Sequence, residues 1–339
     1  MPELFSIFRS DYNDLAKFIT YFFGTKGKGE KFYLARFNFW WDSNPAFPES
    51  KERGWILKDK GRIVGFRGII PTKFQLFGEE IIVYNSTTWR VSPEYRNQSM
   101  LFFFKLLNVS KDSLHFNTTP SDTVVKLMNA YKYKKIPGSY PRISILKTSG
   151  EFCFSASKKS RKLDVKQIKK PDLSFNRIWE KTKNIFPNTN IRTVDVINWY
   201  LKDTNNKKIV FGCYQYNELI SYVICCVTIV KELPFALQWV DLWGHHPIEN
   251  YVLDSLVNYT VDYAKKNSFE YVIFTHFKSN IGEYFKKTGL AGGEYFKEIW
   301  LPGMEMEKKF YFKASPKIQN KITEKNSFFV DIQGDYCLW

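Results

Sequence analysis

The order of elements read along the chain predicts an α/β protein built as two tandem units, each a mixed, mostly antiparallel sheet flanked by helices. Three observations carry that reading. At 339 residues the chain is too long for one ordinary domain and long enough for two that each bury a core. A series of strand meander, helix, strand and helix runs through both halves in the same order. Landmarks in the two passages keep a nearly constant spacing: the turn prolines Pro93 and Pro247 lie 154 positions apart, and the helix ends at Lys132 and Gly289 lie 157 apart, which indicates a duplication.

In the first half, Tyr12 to Phe23 suits an amphipathic helix, and Phe32 to Trp41 a second, aromatic-rich one that must stop at Asn44-Pro45. GWILKDKGRIVGFRGIIPTKFQLFGEEIIVYNSTTWRV carries turn signals at Asp59-Lys60-Gly61 and Phe77-Gly78-Glu79 between β-branched and aromatic runs, which makes a three-stranded antiparallel meander. A polar turn from Ser92 to Ser99 leads to a helix at Met100 to Asn108. A strand at Ser113 to Asn117, a helix at Ser121 to Lys132 and a strand at Arg142 to Lys147 complete the unit. The second half opens with a helix at Val194 to Leu201 and a meander on IVFGCYQYNELISYVICCVTIV that turns at Tyr216-Asn217-Glu218. A strand at Phe235 to Trp243, a helix at Ile248 to Asn267, a strand at Tyr271 to His276 and a helix at Asn280 to Thr288 follow, and Pro302-Gly303 marks a hairpin. The units run over 1–152 and 176–312, with a basic linker at 153–175 and a tail at 313–339. Ser327 to Trp339 is rich in aromatic residues, so it packs, adding to a sheet or lining the cleft between the units.

Composition narrows the class. A hydrophobic fraction of 44% with 18% aromatic residues describes a packed globular chain rather than a disordered one. The N-terminus has no basic segment followed by an apolar one, and the longest apolar run, Leu219 to Val230, is shorter than a bilayer span, so the expectation is a cytoplasmic protein without a transmembrane segment. The five cysteines, Cys153, Cys213, Cys225, Cys226 and Cys337, lack metal-ligand spacing and read as reduced structural thiols. His245 and His246 form the only histidine pair, and no nearby carboxylate makes a metal site of it. The net charge of +16 implies attraction to polyanions: nucleic acid, anionic lipid, or phosphorylated cofactors. Much of the excess lies in Lys158, Lys159, Arg161, Lys162, Lys166, Lys169 and Lys170, which reads as a solvated linker.

The segment Gly54 to Tyr133 resembles the GNAT superfamily of acyl-CoA N-acyltransferases. It has the acidic-Gly-basic-Val-Gly hairpin of that family at Asp59-Lys60-Gly61-Arg62-Ile63-Val64-Gly65, and its Val-x-Pro-Glu-x-Arg at Val91-Ser92-Pro93-Glu94-Tyr95-Arg96. The resemblance implies two tandem GNAT-like domains and an acyl-CoA donor, acetyl-CoA or another, whose pyrophosphate is held where the fourth strand runs into a helix. Carried onto this chain, the cofactor residues are Val91, Arg96, Asn97, Gln98, Ser99 and Met100. A helix N-terminus offers unpaired amides and the positive end of the dipole, and Arg96 adds a cation. Asn97, Ser99 and Leu101 stand where the family commonly has glycine; Ser99 is small and its hydroxyl can donate to phosphate, whereas Leu101 crowds the first helical turn. The second passage reads Gly244-His245-His246-Pro247-Ile248-Glu249-Asn250 at the same turn, with no arginine, so the cofactor role is expected only in the first unit. Tyr284-Phe285-Lys286-Lys287-Thr288-Gly289-Leu290 is similar to the family's closing Tyr-x-Lys-x-Gly-Phe.

Acyl transfer to an amine needs a base, a donor to the developing oxyanion and an acid for the leaving thiolate. In this family the thioester lies where the fourth and fifth strands splay. Those places offer Asn85, Thr87, His115, Asp122, Tyr131 and Tyr133, of which His115, Asp122 and Tyr131 are the catalytic candidates. The function expected is transfer of an acyl group, with acetyl as the first choice, to an amine of a small acceptor such as an amino sugar. Two alternatives are a tRNA-dependent aminoacyl ligase of the Fem type, favoured by the charge, and a non-catalytic binding module. The sequence leaves the oligomeric state open.

Overall fold

A computed structural model describes residues 1–23, 28–136, 143–149, 162–230, 233–245, 247–277, 279–287, 296–297 and 310–330. The chain opens with β1 (Glu3–Ser6), α1 (Tyr12–Phe23) and α2 (Glu30–Phe37), which passes through a π-helical turn at Asn38–Asp42 to the short α3 (Phe47–Ser50). The meander is β2 (Gly54–Asp59), β3 (Arg62–Leu76) and β4 (Glu79–Val91); then come α4 (Ser99–Val109), β5 (His115–Asn117), α5 (Asp122–Ala130), β6 (Lys134–Lys135) and β7 (Ile143–Lys147). The second half has β8 (Asp164–Ile168), α6 (Ser174–Thr182), β9 (Asn188–Asn190), α7 (Val194–Leu201), β10 (Lys208–Gln215), β11 (Glu218–Val230) and β12 (Leu233–Gly244). It ends with α8 (Asn250–Lys266), β13 (Tyr271–Thr275), α9 (Ser279–Lys287), β14 (Phe296–Lys297), β15 (Tyr311–Lys313), α10 (Pro316–Gln319) and β16 (Ser327–Phe328).

Local chemistry explains the meanders. Lys60 and Gly61 have φ of 48° and 79°, and Tyr216 and Asn217 have 50° and 64°, the double left-handed turn whose twist matches the flanking strands. Burial fixes the helices: α1 puts Leu15, Ala16 and Ile19 on one fully buried face, and α8 does the same with Leu253, Leu256, Val257 and Ala264.

Two sheets form. The first runs β1-β2-β3-β4-β5-β15-β6, with β9 and β16 added beside β3; the second runs β8-β10-β11-β12-β13-β7-β14. Each is antiparallel except at one central pair, β4 with β5 in the first and β12 with β13 in the second, and at β16 with β9. The sheets therefore repeat one strand order, two tandem units of the same fold. They also exchange a strand. β7, which the sequence places at the end of the first unit, pairs with β13 and β14 of the second sheet, and β15 from the second half pairs with β5 and β6 of the first. A short apolar strand carries no local signal of its partner, and pairing is settled by which edge is open.

The stretch expected to be a solvated linker is structured from Asp164: β8 pairs with β10 along five residues, with Val165 and Gln167 half-buried on one face and Asp164 and Lys166 exposed on the other. Lys162, Lys166, Lys169 and Lys170 are exposed there; Lys158, Lys159 and Arg161 lie outside the described residues, as do Cys153, Cys337, His246, Thr288 to Leu290 and Pro302-Gly303. Cys213, Cys225 and Cys226 are buried free thiols, and burial pushes Cys213 up to about 12. No helix among the described residues is long and apolar enough to cross a membrane.

The halves share one aromatic core from Tyr33, Trp40 and Trp41 to Trp199, Trp239 and Trp243. A buried charge cluster crosses it: Asp203 accepts from Arg36 at 2.9 Å and from Lys208 at 2.6 Å, with all three side chains at most 1% exposed. The amides of Asn205 and Asn206 also donate to Asp203. The C-terminal segment packs as far as it is described: β16 pairs with β9 and so extends the first sheet.

Candidate active site

β4 and β5 are in parallel register only at Tyr84 with His115 and Asn85 with Phe116. Beyond that the strands part, because β4 runs on to Val91 while β5 stops at Asn117 and the chain turns into α5. The opening is a cavity of about 430 Å³, walled by Ser86 to Arg90 on one side and by residues from Asn117 to Val124 on the other. The β4 wall is irregular. The β3–β4 register passes from Arg67 opposite Trp89 to Gly68 opposite Thr87, so Thr88 has no partner and takes a φ of 36°. Such a bulge takes backbone groups out of the ladder beside the cavity.

At its depth lies Arg67, from β3, only 1% exposed. Its guanidinium stacks 4.2 Å from the Trp89 ring and 5.8 Å from Phe103, and its Nη2 donates to Ser86 Oγ at 3.0 Å. Nε and Nη1 have no hydrogen-bond partner, nor has the Trp89 indole N–H, and no carboxylate pairs with the guanidinium among the described residues. Burial lowers the Arg67 pKa to about 10, which still leaves a cation at neutral pH.

Ser86 Oγ also lies 2.6 Å from His115 Nε2, and His115 Nδ1 lies 2.7 Å from the Tyr133 hydroxyl. Burial first, then the Arg67 charge, pushes His115 well below its usual range, so the ring is neutral. Burial raises the Tyr133 phenol. Two proton arrangements satisfy these contacts: Tyr133 donates to Nδ1 and Nε2–H to Ser86, which leaves the Ser86 proton for the cavity, or Ser86 donates to Nε2 and Nδ1–H to Tyr133, which leaves the Tyr133 proton over.

The structure therefore joins His115 to Tyr133 rather than to Tyr131. Tyr131 is half-buried with its ring 4.8 Å from Phe103. Asp122 is exposed at the start of α5, within the segment that forms the second wall. Thr87 lines the cavity, while Asn85 is turned to the Ile70 carbonyl and Thr72. Ser86 and Arg67 escape sequence reasoning, since an arginine inside a strand looks like a solvated position until its burial is seen.

Pro93–Gln98 winds as a 3₁₀ helix directly into α4, and the Ser99 N–H donates to the Arg96 carbonyl. The turn thus uses amides that an anion-binding loop would present. Tyr95 anchors it on the β2–β3 turn through a 2.8 Å bond to Asp59. Arg96 and Asn97 are exposed, Gln98, Ser99 and Met100 half-buried, and Val91 buried. Arg96 has no carboxylate partner among the described residues. An exposed, unneutralised arginine beside a helix start fits a pyrophosphate, through side-chain charge more than through amides.

The second sheet parts at the corresponding place, after Gln238 and Ile273. There Phe328 packs 5.5 Å from Trp243 and 6.2 Å from Phe277, and Arg192, stacked 4.0 Å over Trp243, is ion-paired with Asp241 at 3.0 Å. Phe328 thus packs against the strand ends and the arginine is neutralised, while a cavity of about 460 Å³ lies at the starts of α8 and α9, lined by residues from Pro247 to Asp254 and by Asn280. Among the described residues no three His, Cys, Asp or Glu stand close enough to hold a metal ion.

No family model and no curated protein matches the sequence. Solved structures do. A GCN5-related N-acetyltransferase from Anabaena variabilis superposes with a TM-score of 0.60 at 9% identity, over 92% of this chain and 72% of that one. One from Kribbella flavida gives 0.56 at 14%, over 81% of this chain and 64% of its own, so this chain spans slightly less than two thirds of that relative. Saccharomyces cerevisiae N-myristoyltransferase, solved with bound myristoyl-CoA, gives 0.52 at 11%, over 92% and 82%. The chain has the fold of GNAT acyltransferases, in two tandem domains.

Proposed function

We propose that the protein is an acyl-CoA-dependent N-acyltransferase whose working site is the cleft between β4 and β5. The observation that carries this is the cavity between the parted strands of the first sheet, lined by Ser86, Thr87, Thr88 and the buried Arg67, whereas at the strand ends of the second sheet Phe328 packs on Trp243 and Phe277. The thioester enters the first opening, its pyrophosphate near Arg96 to Met100 and its carbonyl beside the Thr88 bulge, where backbone groups freed from the ladder meet the developing oxyanion. The amine attacks the carbonyl carbon directly; the C–N bond forms, the C–S bond breaks and the thiolate leaves with a proton.

Asp122, exposed at the start of α5, attracts the cationic acceptor, which gives up one proton to water before it attacks; a second proton from its nitrogen leaves with the thiolate. His115 is a positioning residue in this reading, because both ring nitrogens are engaged in buried bonds that fix Ser86. The acyl group is a short one, of which acetyl is the simplest, and the acceptor a small amine such as an amino sugar or an amino acid. Calorimetry with coenzyme A tests the reading: the wild type binds, and Arg96→Glu binds about tenfold or more weakly, with a steeper salt dependence for the wild type. Equal affinity in the variant removes Arg96 from the site, and no binding by the wild type removes the function. A tRNA-dependent ligase would instead show a salt-sensitive gel shift with bulk tRNA.

A further inference from the structure

Resting on the reading of this cleft as the acyl-transfer site, we infer that its deep end is a carboxylate receptor, formed by Arg67, the Trp89 indole N–H and the Ser86 hydroxyl, and that one of the two substrates carries a carboxylate. The argument begins with cost. A buried cation is tolerated when a carboxylate or a set of acceptors surrounds it, and this protein pairs its other deep arginines in that way: Arg36 with Asp203 at 2.9 Å and Arg192 with Asp241 at 3.0 Å. Arg67 is equally buried, yet among the described residues its one acceptor is the neutral Ser86 oxygen, and Nε and Nη1 are unpaired.

Its placement is specific. The Trp89 and Phe103 rings hold the guanidinium, leaving its edge as the bonding surface, and Arg67 is among the residues that line the cavity. Trp89 Nε1, unpaired on the same wall, is a second donor with no acceptor. Ser86 supplies a third in the tautomer that puts the His115 proton on Nε2, where His115 and Arg67 both donate to its oxygen and its own proton is left for the cavity. With that tautomer three donors surround one fixed positive charge that no carboxylate neutralises among the described residues, which describes a site for a planar anion. A carboxylate fits the guanidinium edge in bidentate fashion, and a cleft between strands admits it as the end of a short chain.

The carboxylate has two sources: the far end of a dicarboxylic acyl group on the donor, or the carboxylate of an amino-acid acceptor. Kinetics with the full-length protein separate them. In the donor arm, succinyl-CoA is compared with acetyl-CoA at a fixed amine; in the acceptor arm, glycine is compared with glucosamine at fixed acetyl-CoA. One arm shows a preference for the carboxylated member, and Arg67→Met reduces that preference by about 100-fold. The free proteins are melted alongside, with and without succinate. Because Arg67→Met replaces an unpaired buried cation with an apolar chain, its ligand-free Tm equals or exceeds that of the wild type, and the upshift that succinate gives the wild type disappears.

A structural arginine gives the opposite result: Arg67→Met melts lower, Arg67→Lys restores it, and all substrates fall in parallel. That result, or a wild type that ignores the carboxylate in both arms and in the succinate melt, overturns the inference while leaving the acyltransferase reading intact. Failure to bind coenzyme A overturns the reading, and the succinate melt still decides the receptor.

Discussion

His115 carries a pH dependence of stability that follows from its burial. The folded ring stays neutral because burial and Arg67 hold its pKa well below 6.5, whereas the unfolded chain's histidine takes up a proton as the pH falls through about 6.5. Its contribution is therefore complete above that pH and shrinks below it, by about 1.4 kcal/mol between pH 7.5 and 5.5. Urea unfolding of wild type and His115→Gln at both pH values checks this: the stability difference between them narrows by that amount on acidification. At the same site, Tyr133→Phe removes the hydroxyl bonded to Nδ1 and lowers kcat by about tenfold through disorder of Ser86, while Tyr131→Phe leaves turnover within about twofold, since the ring contacts of Tyr131 among the described residues are with Phe103 and Phe104. Sequence alone could rank His115 as the titratable group worth watching. It could not choose Tyr133 over Tyr131, because two residues past a helix end decide which ring faces the strand.

The elements that build the cleft depend on close backbone contact. Gly54 opens β2 at a φ of 112°, and a Cβ there would lie 2.1 Å from the Arg67 carbonyl oxygen. Gly54→Ala therefore strains its own backbone and displaces the strand that carries Arg67. We expect a loss of about 1–3 kcal/mol in chemical denaturation from the conformation alone, together with a weaker succinate response. Gly68 beside it meets Thr87 Cγ2 at 2.8 Å in the same way, which keeps β3 and β4 tight just where the register slips. Alternation and turn chemistry made the strands of both meanders legible. The bulge at Thr88 was not, since nothing in Ser-Thr-Thr-Trp distinguishes a paired residue from an extra one. Nor was the 3₁₀ winding of Pro93–Gln98, where proline starts a turn and the missing glycines leave the chain free to coil into α4.

Across the molecule, Asp203 ties α2 of the first half to the α7–β10 connection of the second through two buried cations. Asp203→Ala leaves both unpaired and costs about 3–5 kcal/mol, measured as a lower urea midpoint with an unchanged slope. The two-unit architecture could be read from the spacing of Pro93 and Pro247, because a repeat leaves its period in the sequence. The trading of β7 for β15 could not, because each strand is short and its partner lies far along the chain.

That trade has a temporal side. A ribosome finishes the first sheet's β5 by residue 117, but the strand that sits against it, β15, begins only at Tyr311. At roughly 5–20 residues per second the open edge waits on the order of ten to forty seconds. During that interval a hydrogen-bonding edge next to Phe116 and His115 is bare. Nascent chains halted before residue 311 should bind a chaperone, and those released after residue 330 should not.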